Sequence, residues 1–219
     1  MGAMVHLEFL VEDQSGRAAL EILVPRMLGP ASTYRIHSYK GVGRLPRGLR
    51  PKSDADKRIL LDQLPRVLRG YGSDPGRQIV VVICDLDDKS RPEFLAELNQ
   101  MLDRCTPRPR ITLFCLAIEE FEAWYLGDLA AVRKAYPRAN ARVLESYVND
   151  SICGTWEVLA DATYPGGSKA LARLGWSAEG EQKSIWARMI SPHMDIDGNR
   201  SPSFRYLCER VRAVAAGES

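Results

Sequence analysis

The chain has 219 residues, 45% hydrophobic and 26% charged, which is ordinary globular composition with enough length for one sizeable core. A net charge of +2 excludes a protein-wide field for drawing in polyanions, so any preference for anions must come from local clustering. No apolar run approaches the roughly 18 residues of a membrane span, and five widely spaced cysteines (Cys84, Cys105, Cys115, Cys153, Cys208) without a CxxC argue against a zinc site or a disulfide framework.

Val5–Val11 predicts a first strand, preceded by "MGAM", which reads as a cloning remnant ahead of a start at Met4. Ser15–Leu28 predicts a helix with Ala19, Leu20, Leu23 and Met27 on one face and Ser15 as its N-cap. Thr33–Lys40 alternates as a second strand and runs into a loop punctuated by Gly and Pro. Ser53, Asp54 and Asp56 open a helix reaching about Arg69, bent at Pro65. Arg77–Asp85 is a third strand whose unbroken Val/Ile content fits a parallel strand buried on both faces. Arg91–Cys105 is a helix with Pro92 in its first turn, Arg110–Glu120 a fourth strand, and Glu119–Asp128 the helix it turns into. Strand and helix alternate, which predicts an α/β domain over residues 4–128 with a central, mainly parallel four-stranded sheet. From 129 to 219 only helical stretches follow: Leu129–Tyr136, Arg142–Val148, Thr155–Ala162, Lys169–Leu174, Gln182–Ile190 and Phe204–Ala216. They predict a helical extension packed on the sheet domain.

Three strands end in acids: Glu12 and Asp13 after the first, Asp85, Asp87 and Asp88 after the third, Glu119, Glu120 and Glu122 after the fourth. In an open parallel sheet, ligand sites lie at the carboxyl ends of the strands. Converging carboxylates repel, and a divalent cation with oxygen ligands, Mg²⁺ or Mn²⁺, resolves the repulsion. Alternation along "DLD" turns Asp85 and Asp87 the same way, with Leu86 toward the core. Glu119 and Glu122 fall three apart on one helical face, and Glu120 is left to solvent. Asp13 and Asp88 also fit plain helix caps or solvated loop residues.

Between Lys40 and Lys52 stand Lys40, Arg44, Arg47, Arg50 and Lys52 with no acid, a flexible loop suited to phosphate contacts. "DIDGNRSPSFRY" from Asp195 fails as a calcium loop, because its glycine is at the fourth position and Tyr206 stands where the bidentate Glu belongs. It reads as a turn before the last helix. His6, His37 and His193 show no metal-ligand spacing, and Trp124, Trp156, Trp176 and Trp186 read as core or interface anchors. There is no Walker A loop, so any ATP dependence must come from a partner.

The acids resemble the Toprim pattern, a Glu after the first strand (Glu12 in "FLVEDQSG") and a DxD after a later one (Asp85 and Asp87 in "VICDLDD"). More narrowly, the chain resembles a Toprim-like bacterial family of unknown function whose members often lie in anti-phage defence loci. The resemblance rests on "KGVG", on Glu122-Ala123-Trp124, and on Lys183 with Pro202-Ser203-Phe204. It departs where the family carries Gly at Asp13 and often Glu at Gly16.

The resemblance implies a Toprim-like fold and a Mg²⁺-dependent (or Mn²⁺-dependent) nuclease acting on DNA or RNA. Glu12 would be a metal ligand or general base, Asp85 and Asp87 would hold the metal, and Glu122 with Glu119 would complete the site. Lys169 and Lys183 would contact substrate phosphates or the transition state, beside Lys40, Arg44 and Arg47 of the phosphate-suited basic loop. Implied partners are nucleic acid, an ATPase from a neighbouring gene and a second copy of the chain, without a membrane. With reduced cysteines and no signal-peptide layout, a cytoplasmic location is expected. Two other readings stand beside it. One is a non-catalytic sensor or partner-binding subunit. The other is a phosphatase of the haloacid-dehalogenase kind, with Asp85 as nucleophile and Asp87 as acid.

Overall fold

The computed structural model describes residues 5–29, 32–46, 48–50, 55–76 and 78–217. The first half runs β1 (Val5–Val11), α1 (Gln14–Leu28), β2 (Ser32–Ser38), a 3-10 turn (Ala55–Lys57), α2 (Leu60–Gly72), β3 (Ile79–Asp85), α3 (Arg91–Asp103) and β4 (Ile111–Ala117). The sheet has the order β2-β1-β3-β4, and every pairing is parallel. All four carboxyl ends therefore lie on one edge. The chain grows outward from β1 to β2, then restarts at β3 on the other flank. Its order thus reverses between β1 and β3, the place where open α/β sheets leave a crevice for ligands.

The period-2 alternation of the strands sorts the core into two layers. Leu7, Phe9, Val11, Val81 and Ile83 point to one face, under α1 and the C-terminal helices. Leu10, Val80, Val82 and Cys84 point to the other, under α2 and α3. Burial on both faces is why β3 carries an unbroken apolar run.

The second half is helical: α4 (Glu122–Leu126), α5 (Leu129–Ala135), α6 (Ala141–Ser146), α7 (Thr155–Thr163), α8 (Gly167–Ala172), α9 (Trp176–Ile190) and α10 (Pro202–Ala215). α9 lies against α1, and α10 against β4 and α1. Trp186, Ile190, Leu207 and Val211 join Leu7 and Phe9 in one continuous core, so these helices cover a whole face of the sheet. Among the described residues, no helix is long and apolar enough to cross a membrane.

Several boundaries differ from the sequence reading. Asp13, not Ser15, caps α1: its Oδ1 accepts the Gly16 amide at 2.7 Å, and the Ser15 hydroxyl donates to its Oδ2 at 2.7 Å. α2 begins at Leu60 rather than near Ser53, and has no side-chain cap. Ser53 and Asp54 lie outside the described residues. α9 begins at Trp176 rather than Gln182, because Gly180 is carried inside the helix. The strand β4 stops at Ala117, and no helix starts until Glu122.

Candidate functional site

Glu12 leaves the sheet directly after Val11. Its Oε2 accepts the Asp85 amide at 3.2 Å, linking the ends of β1 and β3 across the crevice. Its carbonyl accepts the Gly41 amide at 3.1 Å, and a backbone hydrogen bond from Val42 reaches its carboxylate. Burial, helped by the charges of Asp13 and Asp87, pushes Glu12 up to about 7 against the pull of those amides. Asp85 is half-buried and is driven well above the carboxylate range by burial and by Glu12. Lys183 pulls it back, while Glu122 and Asp13 add to the push. Behind them, burial and the same carboxylates hold the Cys84 thiol far up, in its protonated form.

Glu122 opens α4 and is only 1% exposed. Burial raises it to about 7, with Lys183 opposing and Glu120 and Asp13 adding. Its Oε2 has no hydrogen-bond partner, and the Lys183 Nζ stands 3.6 Å away. The same ammonium lies 3.0 Å from Glu120 Oε1. Burial works against the charge of Lys183, but Glu122, Glu120 and Asp85 outweigh it and hold the lysine well above its ordinary range. One ammonium from α9 thus serves three acids from two strand ends.

The other predicted acids sit differently. Asp87 follows the end of β3 in a left-handed turn, φ 52, so strand alternation no longer aims it with Asp85. Its Oδ2 meets Lys89 Nζ at 2.5 Å, and its side chain is 47% exposed. Glu119, at φ 61, precedes α4, so the three-residue spacing does not set it beside Glu122. Its carboxylate accepts the amides of Thr155 at 2.8 Å, Gly154 at 2.9 Å and Cys153 at 3.1 Å, together with the Thr155 hydroxyl. Burial would raise Glu119, but these donors win and hold it below the carboxylate range. It is the acid that satisfies the orphan amides at the start of α7. Glu120, left to solvent in the sequence reading, is the neighbour of Glu122, and it also accepts the Trp156 amide at 3.2 Å. Its partner is 63 residues away, and no local pattern signals such a pairing.

The predicted phosphate contacts divide too. The basic loop starts at the site: Gly41 and Val42 are stitched between Glu12 and the first turn of α2, whose Leu60 and Leu61 amides donate to their carbonyls at 3.0 and 2.9 Å. Lys40 and Arg44 are exposed on this loop, and Arg47 lies outside the described residues. Lys169 is exposed on α8, which packs on α7 and α9, and among the described residues no hydrogen bond or ion pair joins it to the acids. A cavity of about 240 Å³ beside the site is lined by Asp87, Asp88, Glu119, Glu120 and Glu157, with Trp156 in its wall.

The "EAW" and "PSF" segments meet directly. Trp124 Nε1 donates to Ser203 Oγ at 3.0 Å, its ring packs on Phe204 with centroids 5.6 Å apart, and Asn199 donates to its carbonyl at 2.8 Å. Asp195 closes its turn by accepting the amides of Asp197 and Gly198 at 3.0 Å each, as a turn before α10 should. The contacts of Trp124 with Ser203 and Phe204 fix α4, and with it Glu122, to the C-terminal helix.

At this edge the donors are carboxylate oxygens, the set a hard cation takes. Among the described residues, no three acids or imidazoles converge into a ready-made metal cage. Mg²⁺ needs none: one or two carboxylates with water and substrate phosphates suffice. Glu12 and Asp85 are the two carboxylates that could fill that role, and Glu122, whose Oε2 lacks a hydrogen bond, adds its charge to Asp85.

An open parallel sheet whose buried carboxylates gather at its order reversal defines an α/β protein with an acidic carboxyl-edge site. The chain belongs to the family described as "Domain of unknown function (DUF4276)", whose model matches residues 11–212. No curated protein and no solved structure matches it.

Proposed function

We propose that the protein is a Toprim-like, Mg²⁺- or Mn²⁺-dependent nuclease of the cytoplasm that hydrolyses phosphodiester bonds in DNA or RNA as an effector of anti-phage defence. The observation that carries this reading is the meeting of Glu12 and Asp85 at the sheet's order reversal, both pushed toward protonation by burial, with Glu12 adding to the push on Asp85 and Asp13 and Asp87 to that on Glu12. Part-buried carboxylates crowded by neighbouring negative charge are the state that a divalent cation relieves. Glu12 and Asp85 would hold the metal. Bound there, the ion would polarise a phosphoryl oxygen and lower the pKa of a water. Lys183 places a fixed positive charge beside Glu122 and within reach of Asp85, and Lys40 and Arg44 offer their charge to the strand at the rim. An ATPase from a neighbouring gene would supply any nucleotide dependence.

A second reading is a non-catalytic partner-binding subunit. Lys183 already neutralises part of the acidic cluster from within the chain, which favours a site kept for stability alone. The two separate in one assay. Supercoiled plasmid and single-stranded RNA are incubated with protein and Mg²⁺, Mn²⁺ or EDTA, alone and with the neighbouring ATPase. Metal-dependent cutting, abolished by Asp85→Ala and Glu12→Ala, is expected. No cutting under any condition favours the binding reading. Release of phosphate from a monoester with an aspartyl-phosphate trapped on Asp85 would move the assignment to a phosphatase.

A further inference from the structure

A second charged cluster lies away from the acidic edge, between the middle of β1 and α2. Glu8 has 0% of its surface exposed, yet it sits in the centre of a strand. Such a carboxylate survives only when fully partnered. His37 Nε2 reaches its Oε2 at 2.7 Å, His6 Nε2 its Oε1 at 3.3 Å, and the Tyr71 hydroxyl donates to Oε2 at 3.4 Å. Among the described residues, no hydrogen bond or ion pair joins these groups to Glu12.

The consequence for His37 is positional. Held from behind through Nε2, with its side chain 32% exposed, its ring forms part of the wall of a cavity of about 350 Å³. Tyr39, Arg58, Gln63, Arg66 and Val67 complete the lining, with no carboxylate among the described residues that line it. Arg58 is held in the left-handed region at φ 50, with its guanidinium donating to the Ser38 carbonyl. Arg66 projects from α2, exposed and without an ion pair among the described residues. Two guanidiniums, a phenol and a histidine anchored to Glu8 therefore line a space with no carboxylate among the described residues of its wall.

We propose that this cavity is a phosphate-binding site. Arg58 and Arg66 provide the planar forks that suit phosphate oxygens. His37, held to Glu8 through Nε2, adds its polar ring to the same wall. The Tyr39 hydroxyl stays a neutral donor, since burial raises it and Arg58 only partly pulls it back. The volume admits a phosphate with an attached group of about nucleotide size. That phosphate is offered either by a small phosphomonoester or by a nucleic-acid backbone. Tyr39 donates its amide to the Val11 carbonyl at 2.9 Å, one residue before Glu12, so a strand at the acidic edge passes close by. The assignment needs neither the metal nor cleavage.

Calorimetric titration of the metal-free full chain with inorganic phosphate, AMP and a single-stranded DNA 12-mer tests it. Arg66→Glu, at an exposed position, is expected to fold normally by circular dichroism and to weaken every bound probe about tenfold or more. Arg173→Glu, the same charge change on the exposed end of α8, controls for net charge and should change affinity less than about twofold. Binding of AMP but not the 12-mer, lost in Arg66→Glu, supports a small phosphomonoester. Binding of the 12-mer with the same loss supports a backbone phosphate. No binding of any probe, or equal affinities in Arg66→Glu and Arg173→Glu, overturns the proposal. Because the titration is metal-free, its failure leaves the nuclease reading intact, and the converse also holds.

Discussion

The Glu12 carboxylate accepts the amide of Asp85, so the acids that end β1 and β3 are tied together where the order of the sheet reverses. The link runs from a side chain to a backbone and leaves both acids part-buried, with the charge of Glu12 bearing on Asp85. Each is held above the usual carboxylate range. Ionising them costs free energy that a packed core does not spend, the usual mark of a working site.

Removing one charge should therefore stabilise the metal-free protein. Glu12→Gln and Asp85→Asn are expected to raise the thermal midpoint by about 2–4 °C, the shift that about 1 kcal/mol gives at this chain length. Saturating Mg²⁺ should raise the wild-type midpoint and leave both variants unmoved. Scanning fluorimetry with EDTA or Mg²⁺ reads both effects. Wild type indifferent to Mg²⁺, with variants melting lower, would show that these acids are structural.

Lys183 should behave as a buried counter-charge. Its side chain is 19% exposed and spans Glu120 and Glu122. Lys183→Met leaves Glu122 buried and uncompensated, at an expected cost of about 3–5 kcal/mol. Adding Glu122→Gln removes the stranded charge, so the double variant should recover most of the loss. Urea denaturation of all four proteins gives the coupling. Additive losses would mean that the ammonium is held by solvent and Glu120 alone.

Glu119 is expected to act on stability and not on the metal. Three amides and a hydroxyl at the start of α7 converge on its carboxylate. Glu119→Ala should cost about 2 kcal/mol, as the loss of a charged cap does, while the Mg²⁺-induced rise in midpoint persists. Unchanged stability with a lost Mg²⁺ response would return Glu119 to the ligand set.

The contrast between Glu12 and Glu119 shows what the sequence could tell. The strands were legible because burial on two faces writes an unbroken Val/Ile run, as in Val80–Ile83, and parallel pairing then gathers every strand end on one edge. Glu12 and Asp85 needed only that argument. Glu119 needed the backbone turn at φ 61, which spacing alone does not reveal. Asp87 needed the same kind of turn. The service of Lys183 to Glu120 and Glu122 crosses some sixty residues of helical chain, and only the folding of α9 onto the sheet brings them together. The Glu8 cluster was hidden for a like reason: His6, Glu8 and His37 read as scattered until β1 and β2 pair in register, with Leu10 beside His37.

That cluster sets the last expectation, a dependence of stability on acid. Burial alone would raise Glu8, but the hydrogen bonds and charges of His37 and His6 prevail and hold it below its ordinary value of 4.5. A carboxylate depressed in the folded state stabilises fully above its unfolded value and loses that contribution as pH falls through the folded one. Wild type should accordingly lose stability faster than Glu8→Gln between about pH 5 and pH 3, where the unfolded chain takes up a proton that the fold resists. At neutral pH the variant should be the weaker by about 1–3 kcal/mol, because the histidines and Tyr71 lose a charged acceptor. Urea midpoints across that range decide it. Parallel curves would mean that Glu8 enters the fold already protonated, with His37 held by shape and not by charge.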